Sequence, residues 1–427
     1  MLDALEILEY RGYDSAGIAV CGEDSCVRIR KCAGRVKDLR LLCEKDGILG
    51  TCGIGHTRWA THGGVSDANA HPHRFGKVTV THNGIVENYR DLVQRYRLEE
   101  RLQSQTDSEV AAAVLDHFYS GDPLAAIRKT VLKLKGTFAL SIMFEDIPGT
   151  IFAVRNVSPI VIARAQGGSM LASDVTVLGQ YSKEYFVLPE FYVAVLKEGG
   201  AGETAEPEWL TVNWDVDRSG KGGYPFYMEK EIMEQPQVIR ETVLPRIQGG
   251  IPDLSGDGIP DSLLADCTRI CVVACGTAMH AGLVGKALMQ SLVRIHMDVE
   301  LASEFMYTDV IVDEETLVIA ISQSGETIDT LEAVKHAKKN GAKTLAIVNV
   351  RGASVARASD YVIYTNAGPE IAVASTKAYT TQLAVLYLLT GRMAYVRGSF
   401  GEEEAKAFAG ELMRVPEVMQ KGLDRRE

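Results

Sequence analysis

The chain has 427 residues, which is long for one ordinary core and favours about two to three domains. Its apolar content of 46% and charged content of 24% are typical of a globular protein in water, and a formal net charge of −11 argues against a nucleic-acid partner. No apolar run is long enough for a membrane helix and no secretory signal follows Met1, so we expect a cytoplasmic protein that makes no membrane contact.

The cysteine pattern does not indicate a disulfide framework or a metal site. Eight cysteines are few for a chain of this length, and those before residue 60 lack the paired short spacings of zinc ligands. Cys267, Cys271 and Cys275 recur every fourth residue, but the apolar run 269–274 predicts a buried strand there rather than a helix. The pair in His71-Pro-His73 lacks further ligands nearby. We therefore expect neither a metal nor a cofactor.

The N-terminal half alternates short apolar strands with glycine- and proline-rich turns and a few helices. Strands are predicted at 18–21, 27–30, 51–56, 77–82, 137–143, 150–154, 160–163, 170–172, 184–188 and 192–196, and helices at 36–44, at 87–102 and from 104 onwards. This pattern predicts an α+β fold, a layered antiparallel sandwich with helices on its outer faces.

Two polar stretches of this half are candidates for a site. Arg58 offers a guanidinium that can form two hydrogen bonds to a carboxylate, and Trp59 beside it offers a flat aromatic surface. Asn83-Gly84 can aim a side-chain amide and a backbone N–H at one oxygen, as an oxyanion hole requires. The alternative is a β-hairpin, because Asn-Gly between two strands is a strong hairpin signal and is the more favoured interpretation when taken by itself.

The stretch Ser104-Gln-Thr-Asp-Ser-Glu109 begins the next helix. Thr106 or Asp107 followed by a carboxylate is the pattern of a helix N-cap. Asp107 can also hold an amino group at the edge of a cleft, and the two roles are compatible.

After residue 198 the composition changes, and small, acidic and proline-containing segments indicate a domain boundary. Continuous apolar strands are then predicted at 269–274, 316–321, 344–350 and 361–364, with helical stretches between them. That alternation is typical of an α/β parallel sheet covered on both faces, in which ligands bind where strands end and helices begin.

Three of these strand ends are rich in glycine and small hydroxyl residues. They are Cys275-Gly-Thr277, Ser322-Gln-Ser-Gly-Glu-Thr327 and Ala374-Ser-Thr-Lys377. Hydroxyls and N–H groups at the positive end of a helix suit a phosphate dianion. An ordinary helix N-cap is the alternative, although it needs only one such residue. The second run is not a Walker loop, since the lysine of that motif is missing.

These motifs resemble glutamine–fructose-6-phosphate aminotransferases, the glucosamine-6-phosphate synthase family, along nearly the whole chain. The resemblance implies a class II glutamine amidotransferase domain of the N-terminal-nucleophile type followed by a sugar isomerase (SIS) domain. It implies that glutamine is positioned by Arg58, Trp59, Thr61, His62 and Asp107. It implies that Asn83 and Gly84 stabilise the oxyanion. It further implies that the phosphate of fructose 6-phosphate is held by Ser322, Gln323, Ser324 and Thr327, and that the sugar is surrounded by Cys275, Thr277, Val373 and Ala374.

Two departures from the family pattern lead us to expect a chain truncated at both ends. The family nucleophile is an N-terminal cysteine, whereas this chain opens with Met1. We expect that Cys52 cannot readily replace it, because Cys52 lies within a predicted strand and has no free amine. The domains expected are a glutaminase domain at 1–213, a linker at 214–246 and a first SIS domain at 247–427, with the second SIS domain absent. The chain as given is then expected to be inactive, and the complete protein to be a homodimer.

The alternative from another functional class is a sugar-phosphate-binding regulatory module with a vestigial glutaminase. Purine-type and asparagine-type amidotransferases are disfavoured, because they lack the loop from Ser322 to Thr327.

Overall fold

The computed structural model describes residues 1–9, 12–60, 62–165, 167–197, 200–202, 208–211 and 221–425. The chain divides into two compact units, Met1–Val216 and Asp217–Glu427, called here the N-terminal unit and the C-terminal unit. Thr61, one of the predicted glutamine contacts, lies outside the described residues. Among the described residues, no helix has the length and apolar character needed to cross a membrane.

The N-terminal unit combines antiparallel sheets with short helices. Its helices are α1 Leu2–Leu8, α2 Val36–Lys45, α3 Tyr89–Tyr96, α4 Asp107–Phe118, α5 Pro123–Val131 and α6 Val175–Leu178. Its strands are β1 Ser15–Cys21, β2 Val27–Ala33, β3 Cys52–Arg58, β4 His73–Phe75, β5 Val78–Val86, β6 Gly136–Phe144, β7 Thr150–Asn156, β8 Val161–Ala165, β9 Gly168–Ala172, β10 Glu184–Val187, β11 Val193–Lys197, β12 Gly200–Gly202 and β13 Leu210–Thr211.

The sheets of this unit pack face to face between helices. The strand orders are β2-β1-β3, β13-β10-β8-β9 and β12-β11-β7-β6-β5-β4. Along β6, Leu140 and Ile142 pack with residues of α3, α4 and α5, while Ala139 and Met143 point to the other two sheets. A residue on β1, Ile18, packs with α1 and α2. The layers therefore run helix, sheet, sheet, helix, which confirms the predicted α+β sandwich.

The C-terminal unit is built on a parallel sheet in the order β17-β16-β18-β19-β20. Its helices are α7 Tyr227–Val243, α8 Asp261–Asp266, α9 Gly276–Leu292, α10 Ala302–Phe305, α11 Ile328–Lys339, α12 Ser354–Ala358, α13 Lys377–Val396 and α14 Glu402–Leu423. Its strands are β14 Ile247–Gln248, β15 Ile251–Pro252, β16 Arg269–Ala274, β17 His296–Leu301, β18 Thr316–Ser322, β19 Lys343–Val348 and β20 Tyr361–Tyr364.

Helices cover both faces of this sheet, which explains the continuous apolar runs of its strands. Every residue of β18 is buried, with Ile319 facing the core shared with α9 and α13. On the opposite face, α11 and α12 pack against the sheet. Residues 227–243, expected within a linker, form α7 instead, because apolar side chains such as Ile239 and Val243 join that core.

Candidate functional site

The end of β3 lies two residues later than predicted and includes Arg58. This side chain is buried, with only 4% exposed. Its Nη1 donates to the carbonyl of Gly64 at 3.2 Å, and its Nη2 donates to the carbonyls of Gly63, at 3.3 Å, and His62. The guanidinium predicted to meet a carboxylate thus holds the following loop by its backbone. Burial lowers the pKa of Arg58, while Asp107 and Asp14 favour its charged form.

Asn69 connects that loop to the segment that precedes α4. Its Nδ2 donates to the carbonyl of Gly64 at 2.9 Å, and its Oδ1 accepts from the backbone N–H of Gln105 at 2.9 Å. Both contacts are made by one buried amide. Sequence reasoning missed Asn69, because its partners lie 5 and 36 residues away. The link places the loop of residues 62–64 beside the start of α4, where Asp107 lies.

Asp107 is the first residue of α4 and is buried. Its Oδ2 accepts from the backbone N–H of Val86 at 2.7 Å and lies 3.9 Å from Nδ1 of His82. The preceding Thr106 is the N-cap, with its Oγ1 accepting from the backbone N–H of Glu109 at 3.2 Å. The capping prediction is therefore confirmed for Thr106. Asp107 joins the helix start to the end of β5.

Asn83 and Gly84 lie inside β5, where they pair with Ala139 and Phe138 of β6. The alternative of a hairpin turn at Asn-Gly is therefore wrong. Gly84 adopts φ 135°, and a Cβ there would lie 2.2 Å from the carbonyl oxygen of Thr137. The glycine is needed because the neighbouring strand approaches too closely for a side chain.

Aromatic rings surround the loop after β3. Trp59 is 51% exposed and meets Tyr13 edge to face with ring centroids 5.3 Å apart. His62 meets Tyr89 in the same manner at 5.7 Å. Asp14 accepts from the backbone N–H of Ala60 at 2.8 Å, so the turn that carries Tyr13 and Asp14 supports the loop. The structure therefore brings Arg58, Trp59 and His62 together in the N-terminal unit.

Four histidines pack beside Arg58 and are named here the histidine cluster: His56, His71, His73 and His82. The rings of His56 and His71 stack at 4.2 Å, and those of His71 and His73 meet at 4.7 Å. Burial lowers the pKa of His56 to about 3 and lowers the pKa of the other three as well. Within the described part of the chain, no group of three or more His, Cys, Asp or Glu side chains is arranged to hold a metal ion.

Cys52, at the other end of β3, has a thiol of low reactivity. Burial raises the pKa of its thiol to about 11. A thiol with that pKa stays protonated at neutral pH and is a weak nucleophile. This agrees with the expectation that Cys52 does not replace a catalytic cysteine.

In the C-terminal unit, residues 322–327 form a tight turn between β18 and α11. Ser322 Oγ accepts from the backbone N–H of Gly325 at 3.0 Å and lies 3.0 Å from Oγ1 of Thr327. Ser324 Oγ accepts from the backbone N–H of Glu326 at 3.1 Å. Gly325 adopts φ 66° and leaves no room for a Cβ against Ala353. The hydroxyls predicted for phosphate binding therefore gather at one helix start, and Gln323 lies within the same turn.

The first and second predicted strand ends are neighbours. Ala274 of β16 pairs with Ile321 of β18, so Cys275 and Ser322 follow at the same edge of the sheet. Cys275 is the N-cap of α9, and Thr277 lies exposed in the first turn of that helix. Burial raises the pKa of Cys275. The predicted strand at 269–274 is confirmed as β16.

Val373 and Ala374 lie exposed in the segment 365–376, called here the β20–α13 loop. Asn349, just after β19, ties the start of this loop to the sheet edge. Its Oδ1 accepts from the backbone N–H of Ala367 at 2.8 Å, and its Nδ2 donates to the carbonyl of Gly368 at 2.8 Å. Its own N–H donates to the carbonyl of Gln323 at 3.1 Å. Asn349 was included in the predicted strand 344–350, so its loop role was missed, although a polar residue interrupting the apolar run between Val348 and Val350 was a usable signal.

Family profiles match both units. A profile described as "Glutamine amidotransferase domain" matches residues 56–180, and one described as "SIS domain" matches residues 263–392. The chain is 44% identical to the "Glutamine--fructose-6-phosphate aminotransferase [isomerizing]" of Caldanaerobacter subterraneus subsp. tengcongensis, with 100% of this chain and 72% of the relative covered. It is 41% identical to the protein of the same name from Clostridium tetani, with 99% and 71% covered.

The chain belongs to the glutamine–fructose-6-phosphate aminotransferase (isomerizing) family. Among solved structures, it is similar to the C-terminal domain of glucosamine-fructose-6-phosphate aminotransferase from Francisella tularensis, with 38% identity, 48% of this chain and 58% of that chain covered, and a TM-score of 0.47. The resemblance predicted from the motifs and the enzyme family are both confirmed.

Replacing Asn349 with alanine is expected to loosen the β20–α13 loop of this aminotransferase-family chain. The change removes hydrogen bonds to Ala367 and Gly368 and leaves polar backbone groups without partners, which costs about 1–3 kcal/mol for each buried group. Hydrogen–deuterium exchange read by mass spectrometry should be faster across 365–368. Asn340→Ala is the control, since that exposed amide contacts only its own helix at His336 among the described contacts. Equal exchange in both variants would contradict the assigned tie.

Proposed function

We propose that this chain binds glutamine in its N-terminal unit and fructose 6-phosphate in its C-terminal unit, as part of a glutamine-dependent amidotransferase. The net reaction converts glutamine and fructose 6-phosphate into glutamate and glucosamine 6-phosphate. The amide nitrogen leaves glutamine as ammonia and replaces the oxygen at carbon 2 of the sugar, and isomerisation completes the product. Membership of a family whose relatives are named as enzymes does not favour a regulatory module with a vestigial glutaminase.

The turn at residues 322–327 carries the proposal for the sugar phosphate. Ser322, Ser324 and Thr327 converge at the N-terminus of α11, where the helix dipole favours an anion. The N-terminus of α13 is a weaker candidate, because the carboxylate of Glu370 already accepts from the backbone N–H groups of Thr376 and Ala378. We assign the phosphate to the α11 turn, with Gln323 beside it. The sugar would then lie towards Cys275, Thr277, Val373 and Ala374.

For glutamine, support comes from the grouping of charged and polar side chains around the end of β3. Arg58 would exchange a backbone carbonyl for the substrate carboxylate, and Asp107 would accept from the amino group. Trp59 and His62 supply the neighbouring rings, and Asn83 with Gly84 would face the developing oxyanion. Thr61 is retained in this set on the family resemblance alone.

The expected result for phosphate binding is a large loss of affinity when hydroxyls of the α11 turn are removed. Thr327→Val spares the helix, since the Thr327 side chain makes no capping hydrogen bond. Ser324→Ala and Thr327→Val should each raise the Kd of fructose 6-phosphate by about tenfold to a hundredfold, the value of one hydrogen bond to a charged group. Titration calorimetry measures it, with the exposed Thr308→Val as control. Unchanged affinity in both variants would rule out this phosphate site.

The domain limits 1–213, 214–246 and 247–427, the homodimer and the cytoplasmic location stay proposals. The α7 helix within 214–246 favours moving the start of the SIS domain towards residue 227.

A further inference from the structure

Glu231 of α7 is a buried carboxylate that reaches across to the β20–α13 loop. Only 2% of the residue is exposed. Its Oε1 accepts from the backbone N–H groups of Ile371 at 2.6 Å and Ala372 at 3.0 Å. These two amides immediately precede Val373 and Ala374. One carboxylate therefore fixes the backbone on the N-terminal side of the residues assigned to the sugar.

A second buried carboxylate fixes the C-terminal side. Glu370 accepts from Ser375 Oγ at 3.0 Å and from the backbone N–H groups of Thr376 at 2.9 Å and Ala378 at 3.0 Å. Val373 lies between the two anchors and is 70% exposed. The loop is thus hydrogen-bonded to a buried carboxylate on both sides of a short exposed tip.

Burying these carboxylates is costly, and the surrounding contacts offset that cost. Burial raises the pKa of Glu231, and so does the nearby charge of Glu370, while the two backbone N–H groups and Lys377 favour its charged form. Lys377, itself buried, donates to Glu234 of α7 at 2.7 Å. A neutral side chain could accept the same backbone hydrogen bonds with a smaller desolvation cost. We therefore interpret the buried carboxylate as a device that fixes one loop conformation.

The other end of the loop is held by α7 as well. Arg246, just after that helix, donates from Nη2 to the carbonyl of Tyr364 at 2.9 Å, and Thr242 donates to the carbonyl of Thr365. Arg246 is fixed in turn by two contacts to Asp257, at 2.7 and 2.6 Å. The α7 helix therefore contacts the loop at its start, at Thr365, and before its exposed tip, at Ile371. It also contacts Lys377, the first residue of the helix that follows the loop.

We propose that Glu231 is a positioning residue for the sugar: it holds the backbone of Ile371 and Ala372 so that Val373 and Ala374 meet the carbon chain of the bound sugar phosphate. The inference rests on the proposed binding of fructose 6-phosphate at the α11 turn. Glu231 does not contact that turn among the described contacts, so it acts on the sugar portion and leaves the phosphate contacts untouched.

The test compares Glu231→Gln with Glu241→Gln, a substitution on the same helix at a carboxylate that accepts from Gln237. Titration calorimetry on the intact chain uses two probes, fructose 6-phosphate and inorganic phosphate. Glu231→Gln should raise the Kd of fructose 6-phosphate by about tenfold, since a neutral amide accepts more weakly than a carboxylate, and should leave the Kd of inorganic phosphate unchanged. Glu241→Gln should change neither.

The two probes separate the possible failures. If the unsubstituted chain binds neither probe, the proposed function fails and the inference falls with it. If it binds both and Glu231→Gln binds fructose 6-phosphate equally well, the positioning role is wrong. An equal loss for both probes would indicate a general structural role and also overturn it. Should Glu231→Gln not fold, hydrogen exchange on the unsubstituted chain decides: saturating fructose 6-phosphate should slow exchange at residues 371–372, and unchanged exchange there overturns the proposal.

Discussion

Acidification from about pH 7 to about pH 4.5 is expected to destabilise the N-terminal unit strongly, because the histidine cluster must stay neutral in the folded state. The pKa of His56 is lowered from 6.5 to about 3. An unfolded histidine takes up a proton below its ordinary pKa, whereas folded His56 does not. Its contribution to stability is therefore complete above about pH 6.5 and is lost as the pH falls towards the folded pKa, at about 1.4 kcal/mol per pH unit.

Burial is the main cause of the lowered pKa values in the cluster, and the charges that face it modify the effect. Arg58 and Lys31 are cations that oppose protonation, and Lys31 is fixed by donating to the carbonyls of Ala70, at 2.8 Å, and Ala68, at 3.0 Å. Asp107 favours a charged His82, but burial outweighs it. At about pH 4.5 the loss is about 2–3 kcal/mol from His56 alone, and His71, His73 and His82 add to it. The loss from His56 alone is a substantial part of the about 5–15 kcal/mol by which a typical domain is stable.

Tryptophan fluorescence isolates the unit concerned, since Trp59, Trp209 and Trp214 all lie at positions within Met1–Val216. Urea midpoints measured at several pH values should fall steeply below about pH 6.5. His56→Gln should show a shallower pH dependence, by about one histidine's share. The control is His117→Gln, at an exposed position on α4, which should keep the steep dependence. A flat dependence in the unsubstituted chain would refute the prediction.

Periodicity predicted the sheets well, because burial on one or both faces leaves a local pattern in the sequence. The continuous runs of β16 and β18 are examples. Element ends were less accurate. The helix predicted at 87–102 ends at Tyr96, since Arg97 adopts a left-handed φ of 52°. Such an end depends on one backbone torsion and has no period to reveal it.

The candidate sites were predictable in residue type but not in contacts. Arg58 and Asp107 were identified by chemistry and resemblance, yet their main partners are backbone groups of residues 62–64 and of Val86. Asn69 and Glu231 were missed, because they act on residues that lie 36 and 140 positions away. No spacing rule covers contacts of that length, which arise only when the folded layers bring distant segments together.

Replacing Gly84 with alanine is expected to destabilise the N-terminal unit by about 3 kcal/mol or more. The added Cβ would lie 2.2 Å from the carbonyl oxygen of Thr137 and 3.0 Å from the Cα of Phe138, both backbone atoms of the paired strand. The φ of 135° adds strain, because residues with a Cβ rarely adopt it. The strands β5 and β6 must therefore separate locally, next to the pair that Asn83 forms with Ala139.

Urea unfolding followed by tryptophan fluorescence measures this cost, with Gly64→Ala as the matched control. A Cβ at Gly64 meets nothing within 4 Å, and no positive φ is involved, so that variant should stay within about 0.5 kcal/mol of the unsubstituted chain. Equal stability of the two variants would contradict the packing argument. Alanine keeps the backbone N–H that an oxyanion contact at residue 84 requires. A loss of stability in Gly84→Ala therefore comes from the added Cβ and the backbone conformation at this position, and not from loss of the backbone N–H.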